Sequence, residues 1–369
     1  MENENANVKK TSKGLIAGLV AAAIIVIAAV IMFVLQPWVA GSVATVDNQK
    51  ISKQEYMFYT KFNMTQFLSS IPNNTKTPAD YDWKTKVGTE TAKDQVKKTT
   101  LENIQELKIR IIKAKEAGMK LEKTDLDSVD KVINDQITQY GSRNAAETAI
   151  KSAYGVTLSE LKEIYKNLTL GQKYQTQENS KITVSDDEVK KYYDDNKKEF
   201  DKVTVTHILI KTVDDNGVAV SAGKKAEAKK KAEELLAKVK AGEDIKALAE
   251  KYSEDKPAVT TKDSPGYQGE YTFGRGEMVP QFEDWAFGDR KAGDADIVET
   301  SYGYHVMQFH KRAETPYDDI KTGLKSSLLS KKQGEEFTKK MDAWKKETKY
   351  QVKQNESVIA KIDKTLYGV

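Results

Sequence analysis

Two strand-like runs, about a hundred residues apart, constrain the fold of this chain more than any other feature. Residues 205–210 and 300–307 are rich in β-branched or aromatic residues, and they contain His207 and His305 respectively. Runs of this composition predict β-strands. The chain has three histidines in all, so a metal site built from several histidines is not expected.

The composition is that of a globular protein with balanced charge. Its 369 residues are enough for two or three domains. Lysine and arginine number 59 against 55 acidic residues, a net charge of +4, which argues against a dedicated nucleic-acid-binding protein. The absence of cysteine excludes disulfides, thiol catalysis, cysteine metal ligands and a lipid-modified cysteine anchor. The many lysines are interpreted as a solvated surface rather than a face that binds polyanionic polymers.

One N-terminal segment departs from this composition. Residues 14–35 are a run of 22 without a charge, and as a helix they would span roughly 33 Å, enough to cross a bilayer core. Lysines at positions 9, 10 and 13 precede the run, and no lysine or arginine follows until Lys50. The positive-inside rule therefore predicts residues 1–13 in the cytoplasm, residues 14–36 as a transmembrane signal anchor, and the rest of the chain outside.

A cleaved signal peptide is the alternative interpretation of this segment. Small residues at Ser42 and Ala44 would permit cleavage. The uncharged run is nevertheless longer than the roughly 7–15 residues of a signal-peptide core, so we expect an uncleaved anchor.

The chain beyond this segment begins with the signals of a helical domain. A short strand is predicted at residues 43–47, and the polar stretch 68–88 is predicted to be a loop or a poorly ordered insertion. Three capping boxes predict helix starts, at Ser52 with Glu55, Thr157 with Glu160, and Ser185 with Glu188. One helical face that ends at Gly118 is predicted from Leu101, Ile104, Leu107, Ile111 and Ala114.

From Lys202 onward the pattern changes to strands mixed with helices. Strands are predicted at residues 203–210, 296–299 and 304–310, and helices at residues 222–240, 244–252 and 280–287. Pro280 suits the first turn of the last of these helices. Beyond Pro316 the chain is predicted to be helical to about Lys349 and then to end in a short extended piece.

Five short motifs, in this order and at this spacing, resemble the parvulin-type peptidyl-prolyl isomerase domain. They are His207-Ile208-Leu209, the Lys-Tyr-Ser-Glu-Asp run at 251–255, the Phe-Gly-Arg-Gly-Glu-Met run at 273–278, Phe282-Glu283, and Gly303-Tyr304-His305. The resemblance covers residues 203–311. The flanking residues 43–200 and 313–360 resemble, more weakly, the chaperone portions of PrsA-like foldases and SurA.

The resemblance implies an α+β fold. A parvulin domain at residues 201–312, with a small antiparallel sheet surrounded by helices, would be inserted in a mainly helical chaperone domain. That domain would comprise residues 43–200 and a C-terminal helical segment, 313–369, that packs back on it. The N-terminal transmembrane helix would precede both.

The chemistry of such a domain is rotation about an X–Pro bond, whose uncatalysed barrier is roughly 18–20 kcal/mol. No bond breaks, so no nucleophile, metal or cofactor is expected. The resemblance implies a proline pocket formed by Met278 and Phe282, with Phe273 beside it. It also implies catalytic roles for the paired His207 and His305, for Thr300, which would hydrogen-bond into the pair, and for Asp255, which would face the rotating bond.

Each of these residues also has a plain structural interpretation. A histidine in a strand is often a satisfied core residue, and residues four apart, such as Met278 and Phe282, also pack on an ordinary helix face. Asp255 alone would be a surface carboxylate. His310 matches nothing in the resembled family, and we expect it to be structural or exposed.

The chain also departs from the family in one wall of the site. The family has a Gly-Gly-x-Leu-Gly run where this chain has residues 266–272, and Glu270 falls where a pocket-lining leucine is expected. Tyr267 or Tyr271 is expected to fill that wall, and Tyr302 replaces a smaller residue near His305. Because no basic loop closely follows His207, no requirement for phosphorylated substrates is predicted.

Two functions remain open from the sequence. One is a membrane-anchored isomerase that assists the folding of exported, proline-containing polypeptides outside the cytoplasm of a Gram-positive-type bacterium. The other is a holding chaperone of the PrsA or SurA kind with a weakly active or inactive parvulin domain. The resemblance also leaves open a homodimer formed through the N-terminal helices. A structural wall protein would be expected to contain repeats or low-complexity spacers, and the sequence contains neither.

Overall fold

The computed structural model describes residues 41–214, 216–255, 261 and 264–368. By its internal contacts the chain divides into two compact units. Of the described residues, the first unit contains those up to Ile182 and those from Lys332 onward, and the second contains those between 183 and 331. The predicted cytoplasmic and transmembrane segments, 1–13 and 14–36, lie outside the described residues. Within the described ranges, no helix is both long enough and apolar enough to cross a membrane.

The described residues form eleven α-helices and nine β-strands, which makes the fold a mainly helical α+β fold with small antiparallel sheets. The strands are β1 (Ala44–Val46), β2 (Gln49–Ile51), β3 (Lys86–Val87), β4 (Glu90–Thr91), β5 (Lys202–Lys211), β6 (Glu270–Phe273), β7 (Ala295–Glu299), β8 (Gly303–Ala313) and β9 (Val352–Gln354). The helices are α1 (Lys53–Ser69), α2 (Ala92–Glu116), α3 (Lys123–Gln139), α4 (Arg143–Tyr154), α5 (Leu158–Ser180), α6 (Asp186–Asp195), α7 (Ala222–Lys240), α8 (Ile245–Tyr252), α9 (Pro280–Ala286), α10 (Tyr317–Lys346) and α11 (Glu356–Tyr367).

The first unit is built around α2. Its predicted apolar face is buried, and the helix gives way to Gly118 in a left-handed conformation, as expected for a C-terminal stop. Helices α1 and α5 pack against α2. Gly171 of α5 permits this approach, because a Cβ atom there would lie 2.9 Å from a methyl group of Leu107. Strand β9 pairs antiparallel with β1, so the end of the chain completes a three-stranded sheet begun at its start.

Two of the three predicted capping boxes are confirmed, and the third is half formed. Thr157 and Ser185 each exchange both hydrogen bonds with the glutamate three residues later. Ser52 accepts a hydrogen bond from the Glu55 backbone N–H at 3.0 Å, but the Glu55 carboxylate does not return it. Glu55 Oε2 accepts instead from Lys108 Nζ at 2.8 Å, because the side chain is buried against α2 and a buried carboxylate needs a charged partner.

One expectation for the first unit was wrong, and one alternative was decided. The predicted extended end of the chain is extended only over β9. Helix α11 then begins at Glu356, and the side chain of its N-cap residue, Asn355, accepts the Val358 N–H. Of the two alternatives for residues 68–88, the loop is confirmed, over residues 70–85 between α1 and β3. Trp83 in this loop is 3% exposed and packs edge-on against Tyr367 of α11, with ring centroids 5.6 Å apart.

The second unit is a four-stranded antiparallel sheet in the order β6-β5-β8-β7, with helices on both faces. Because side chains alternate along a strand, each of the two long central strands buries two different sets of residues. Ile208 and Ile210 of β5 pack with α7 and α8 on one face. Val203 and Val205 pack with α9 on the other.

The predicted elements of this unit are confirmed to within a few residues. Helix α7 has the predicted bounds, Asp244 is the N-cap of α8, and Pro280 occupies the first turn of α9. The contact boundaries at Ile182 and Lys332 lie outside the predicted domain 201–312, because α6 and the first half of α10 cluster with the sheet.

Candidate active site

The two strand histidines face each other across the central pair of strands. His207 of β5 is opposite Met307 of β8, and His305 is opposite Leu209, so the two imidazoles are diagonal neighbours on the face that carries α9. Their Nδ1 atoms are 3.1 Å apart and their ring centroids 5.1 Å apart. Both side chains are buried.

Hydrogen bonds extend this pair at both ends. His207 Nε2 lies 3.0 Å from Asp255 Oδ2, and His305 Nε2 lies 2.9 Å from Thr300 Oγ1. Thr300 Oγ1 also accepts the backbone N–H of Tyr302 at 3.1 Å. The structure therefore brings all four residues predicted to be catalytic into one continuous chain of contacts.

The direction of the protons along this chain follows from its two ends. The Thr300 hydroxyl accepts from Tyr302, and among the described residues its own proton has His305 Nε2 as acceptor. A neutral His305 then carries its proton on Nδ1 and donates to His207 Nδ1. His207 in turn donates from Nε2 to the Asp255 carboxylate. The orientation set at Thr300 is thus passed through both imidazoles to Asp255.

The electrostatics favour this arrangement. Burial, with a smaller contribution from His207, lowers the pKa of His305 to about 3, so His305 is neutral at physiological pH. The hydrogen bond from His207 holds the pKa of Asp255 below its usual range, and a hydrogen bond from Tyr271 acts in the same direction. The chain therefore ends in an ionised carboxylate.

A short segment tied to β5 positions Asp255. Ser253 Oγ accepts the backbone N–H groups of Leu209 at 3.1 Å and of Asp255 at 3.3 Å. The Glu254 N–H donates to the Leu209 carbonyl at 2.8 Å. Sequence reasoning noted Ser253 as part of a motif but assigned it no role. Its buried hydroxyl fixes the backbone from which Asp255 reaches His207.

Aromatic rings cover the histidine pair. The Phe282 ring of α9 meets both imidazoles edge-on, with centroids 5.2 Å from His207 and 5.3 Å from His305. Phe273 of β6 lies behind Phe282, 5.7 Å away, and is 1% exposed. Met278 is partly exposed and packs in the same cluster. Of the three residues predicted to bind proline, Met278 is thus the most accessible and Phe273 the least.

Tyr271 occupies the altered wall. Tyr271 donates its hydroxyl to Asp255 Oδ2 at 2.8 Å, and its ring centroid is 5.3 Å from that of His207. Glu270, the next residue on β6, forms an ion pair with Lys246 of α8 at 2.5 Å. Alternation along β6 puts Tyr271, like Phe273, on the face of the site and Glu270 on the opposite face.

The remaining histidine is separate from this chain of contacts. His310 Nε2 lies 2.7 Å from Thr206 Oγ1, and the side chain is partly buried. Among the described residues, no group of three histidine, aspartate or glutamate side chains is arranged to hold a metal ion.

Comparison with known proteins identifies the family. Residues 189–313 match the family model of the PPIC-type PPIASE domain. Over 318 residues the chain is 30% identical to a protein of Clostridium botulinum (strain Kyoto / Type A2) named foldase protein PrsA, covering 84% of this chain and 87% of that one. The chain belongs to the PrsA foldase family. A PrsA of Caldanaerobacter subterraneus subsp. tengcongensis is 28% identical over 309 residues, covering 84% of this chain and 86% of its own length.

Solved structures of PrsA proteins are similar to this chain at lower identity. The peptidylprolyl isomerase PrsA of Bacillus cereus is 24% identical, with 79% of this chain and 99% of that chain covered and a TM-score of 0.32. The foldase PrsA of Streptococcus pneumoniae is 20% identical, with 84% and 97% covered and a TM-score of 0.31. The family-model match and the sequence relatives identify the chain as a peptidyl-prolyl cis–trans isomerase of the PrsA kind.

Proposed function

We propose that this PrsA-family protein is a membrane-anchored, extracytoplasmic foldase that isomerises X–Pro bonds in exported polypeptides. The observation that carries the proposed site is the uninterrupted chain of contacts Thr300–His305–His207–Asp255 beneath the Phe282 ring. We assign catalytic roles to these four polar residues. Met278 and Phe282 form the proline pocket, and Phe273 supports the Phe282 ring from behind.

The proposed mechanism uses electrostatics alone. The planar amide owes its barrier of roughly 18–20 kcal/mol to resonance, which places partial negative charge on oxygen and partial positive charge on nitrogen. The twisted transition state has less of this separation, so an apolar pocket at Met278 and Phe282 favours it. The Asp255 charge, held in place by His207, opposes the negative oxygen of the planar form. No proton transfer or covalent step is required.

The anchor and the domain plan are part of the same proposal. Residues 14–36 are the single-pass anchor, with residues 1–13 in the cytoplasm and the rest between the membrane and wall of a Gram-positive-type bacterium. Support comes from the uncharged run after three lysines. The chaperone domain is 43–200, the isomerase domain 201–312, and residues 313–369 pack on the chaperone domain. The pairing of β9 with β1 supports this last part.

A second candidate function, holding of unfolded clients, is favoured by the surface of the first unit. An apolar groove lies between α1, the 77–79 loop, the end of α4 and the end of α11, and its lining includes Met57, Met64 and Leu366. On α1, Phe62 is 41% exposed and stacks on Phe58 at 6.5 Å. An exposed aromatic ring beside an apolar groove suits apolar segments of varied sequence. A homodimer formed through these helices also remains a proposal.

Exchange measurements on X–Pro peptides test the isomerase function. The full chain in detergent micelles is expected to accelerate cis–trans exchange of unphosphorylated peptides, measured by NMR exchange spectroscopy. The double variant Met278→Ala/Phe282→Ala should lose this acceleration, and phosphorylation of the residue before proline should not be required. Acceleration of phospho-Ser-Pro or phospho-Thr-Pro peptides alone would contradict the proposed specificity.

A client assay separates the two candidate functions. Suppression of aggregation of a chemically unfolded protein is measured for the wild type and for the pocket double variant. Holding by the first unit predicts equal suppression by both, and Phe62→Ser should weaken it. If no peptide is isomerised and suppression persists, the chain is a holding chaperone with an inactive parvulin domain.

A further inference from the structure

The Asp255 carboxylate is held from two strands through a single oxygen. His207 Nε2 of β5 and the Tyr271 hydroxyl of β6 both donate to Oδ2, at 3.0 and 2.8 Å. No described residue donates to Oδ1, and the Asp255 side chain is 35% exposed. Two donors on one oxygen leave the other oxygen as the acceptor that faces solvent and any bound substrate.

The sheet places Tyr271 for this contact. In the register of β5 and β6, Tyr271 is opposite Val205, two residues before His207, so its side chain shares the face of the histidines. Its ring lies against His207 at 5.3 Å. The neighbouring Glu270 faces α8 through its ion pair with Lys246. This position lies in the 266–272 segment, where the chain departs from the resembled family.

We propose that Tyr271 is a positioning residue of the isomerase site. Together with His207 it clamps Asp255 by Oδ2, so that Oδ1 is presented to the X–Pro bond. This inference rests on the proposed function, because it assigns a task to a residue that acts through Asp255.

The geometry explains why one donor is insufficient. With His207 alone, a partly exposed carboxylate rotates about its Cβ–Cγ bond and exchanges its two oxygens, so the charge is spread over several orientations. The Tyr271 hydroxyl adds a second fixed point from a different strand. Among the described residues, the charged or titratable groups that face Asp255 are His207 from β5, Tyr271 from β6 and His305 from β8. Preorganised charge acts without reorganisation at the moment of rotation.

The test is Tyr271→Phe in the full chain, which removes the hydroxyl and keeps the ring. We expect kcat/KM for an X–Pro peptide to fall roughly tenfold, mostly in kcat, as for loss of a hydrogen bond to a charged group. The acid limb of the pH profile should move to higher pH, because Tyr271 helps to keep the pKa of Asp255 low. In an Asp255→Asn background, the same substitution should cost almost nothing.

Tyr267→Phe is the matched control, because Tyr267 lies in the same segment and its hydroxyl has no hydrogen-bond partner among the described residues. The inference is overturned if Tyr271→Phe matches Tyr267→Phe in rate and pH profile while the wild type is active and the pocket double variant is not. Failure of the proposed function looks different, since the wild type itself would then be inactive. A carboxyl NMR titration of the wild type adds a measurement independent of any variant, and an Asp255 that titrates in the ordinary aspartate range or above would also overturn the inference.

Discussion

Each unit of this protein buries a carboxylate against a basic side chain, but the two pairs differ in access. In the first unit, Glu55 and Lys108 are 2.8 Å apart, and their side chains are 8% and 6% exposed. In the second, Asp255 and His207 are 3.0 Å apart, at 35% and 5%. In the Glu55–Lys108 pair, here called the sealed pair, both side chains are buried. In the Asp255–His207 pair, here called the open pair, the histidine is buried and the carboxylate is partly exposed.

The partners of the two carboxylates differ as well. Glu55 Oε1 is buried without a hydrogen-bond partner among the described residues, as is the nearby Tyr59 hydroxyl, whose pKa burial raises above its usual range. Asp255 has two donors on Oδ2 and an accessible Oδ1. A sealed pair of this kind joins helices α1 and α2, whereas a half-open one can act on a ligand.

The largest expected effect is on stability, from breaking the sealed pair. Lys108→Met leaves the Glu55 carboxylate buried without its cation, and this is expected to lower the free energy of unfolding by about 3–5 kcal/mol. Denaturant titration followed by circular dichroism measures it. Isomerase activity per folded molecule should not change.

A double variant checks the cause of that loss. Glu55→Leu/Lys108→Met replaces both charges with apolar groups and should recover most of the stability, because no unpaired charge remains. If Lys108→Met lowers the free energy of unfolding by less than about 1 kcal/mol, the Glu55–Lys108 pair behaves as a solvent-exposed ion pair. The contrast with the Asp255–His207 pair would then be smaller than we infer.

Removing the charge of the partly exposed pair, Asp255 and His207, is expected to lower the isomerisation rate more than the stability of the fold. Asp255→Asn keeps the side chain's shape and removes its charge, so kcat/KM should fall by roughly 10- to 100-fold. The thermal midpoint should move little, because the site is half-exposed. Peptide exchange kinetics and a thermal scan measure the two quantities on one sample. A large loss of stability at unchanged rate would make Asp255 structural, like Glu55.

A smaller effect is expected at the other end of the chain of contacts. Thr300→Val removes the donor to buried His305 Nε2, at a cost of about 1–2 kcal/mol in stability, with a several-fold loss of rate because both imidazoles lose their fixed orientation. Thr204→Val is the control. Thr204 is an equally buried threonine, and its hydroxyl contacts Thr272 on the face away from the histidines. Equal loss of rate in both variants would contradict the relay.

Local signals predicted most of the second unit. Helix α7 has the bounds that its apolar face indicates in the sequence, and in the structure Ser221 caps its first turn. The contacts of Tyr271 were not predictable in the same way. They depend on the register in which β5 pairs with β6. No short-range sequence pattern specifies that register, because the segment 266–272 that leads into β6 is irregular.

The first unit shows the same limit with larger elements. Helix α11 begins with an Asx cap and an apolar spacing typical of a helix, but it follows only three strand residues and was predicted as extended. Trp83 makes an ordered loop out of a polar sequence, because its partner Tyr367 comes from the far end of the chain. The Glu55 carboxylate likewise pairs with Lys108 on another helix and does not complete the local capping box. Tertiary contacts decided each of these.

The smallest expected effect is a rate that does not change with mild acid. His305, with its pKa near 3, and Asp255, with its pKa below the usual range, keep their charge states well below neutral pH. Neither group should therefore change the activity per folded molecule between pH 8 and about 5, and activity should fall below about 4, where either group protonates. An inflection near pH 6.5 in kcat/KM would show that a histidine titrates in the working enzyme.

Stability should respond to the same acid with opposite signs in the two units. A histidine with a depressed folded pKa stabilises the fold when neutral, so the second unit should lose stability as pH falls from about 6.5 towards 3. Burial raises the pKa of Asp363 in α11, so its contribution to the first unit is present at low pH and is lost as pH rises through that pKa. Hydrogen exchange measured unit by unit from pH 7 down to pH 4 resolves the two. The contrary result is that both units lose stability together as the pH falls, with neither His305→Gln nor Asp363→Asn changing that loss. This result would show that other carboxylates dominate the acid response and that these two buried groups do not make the units differ.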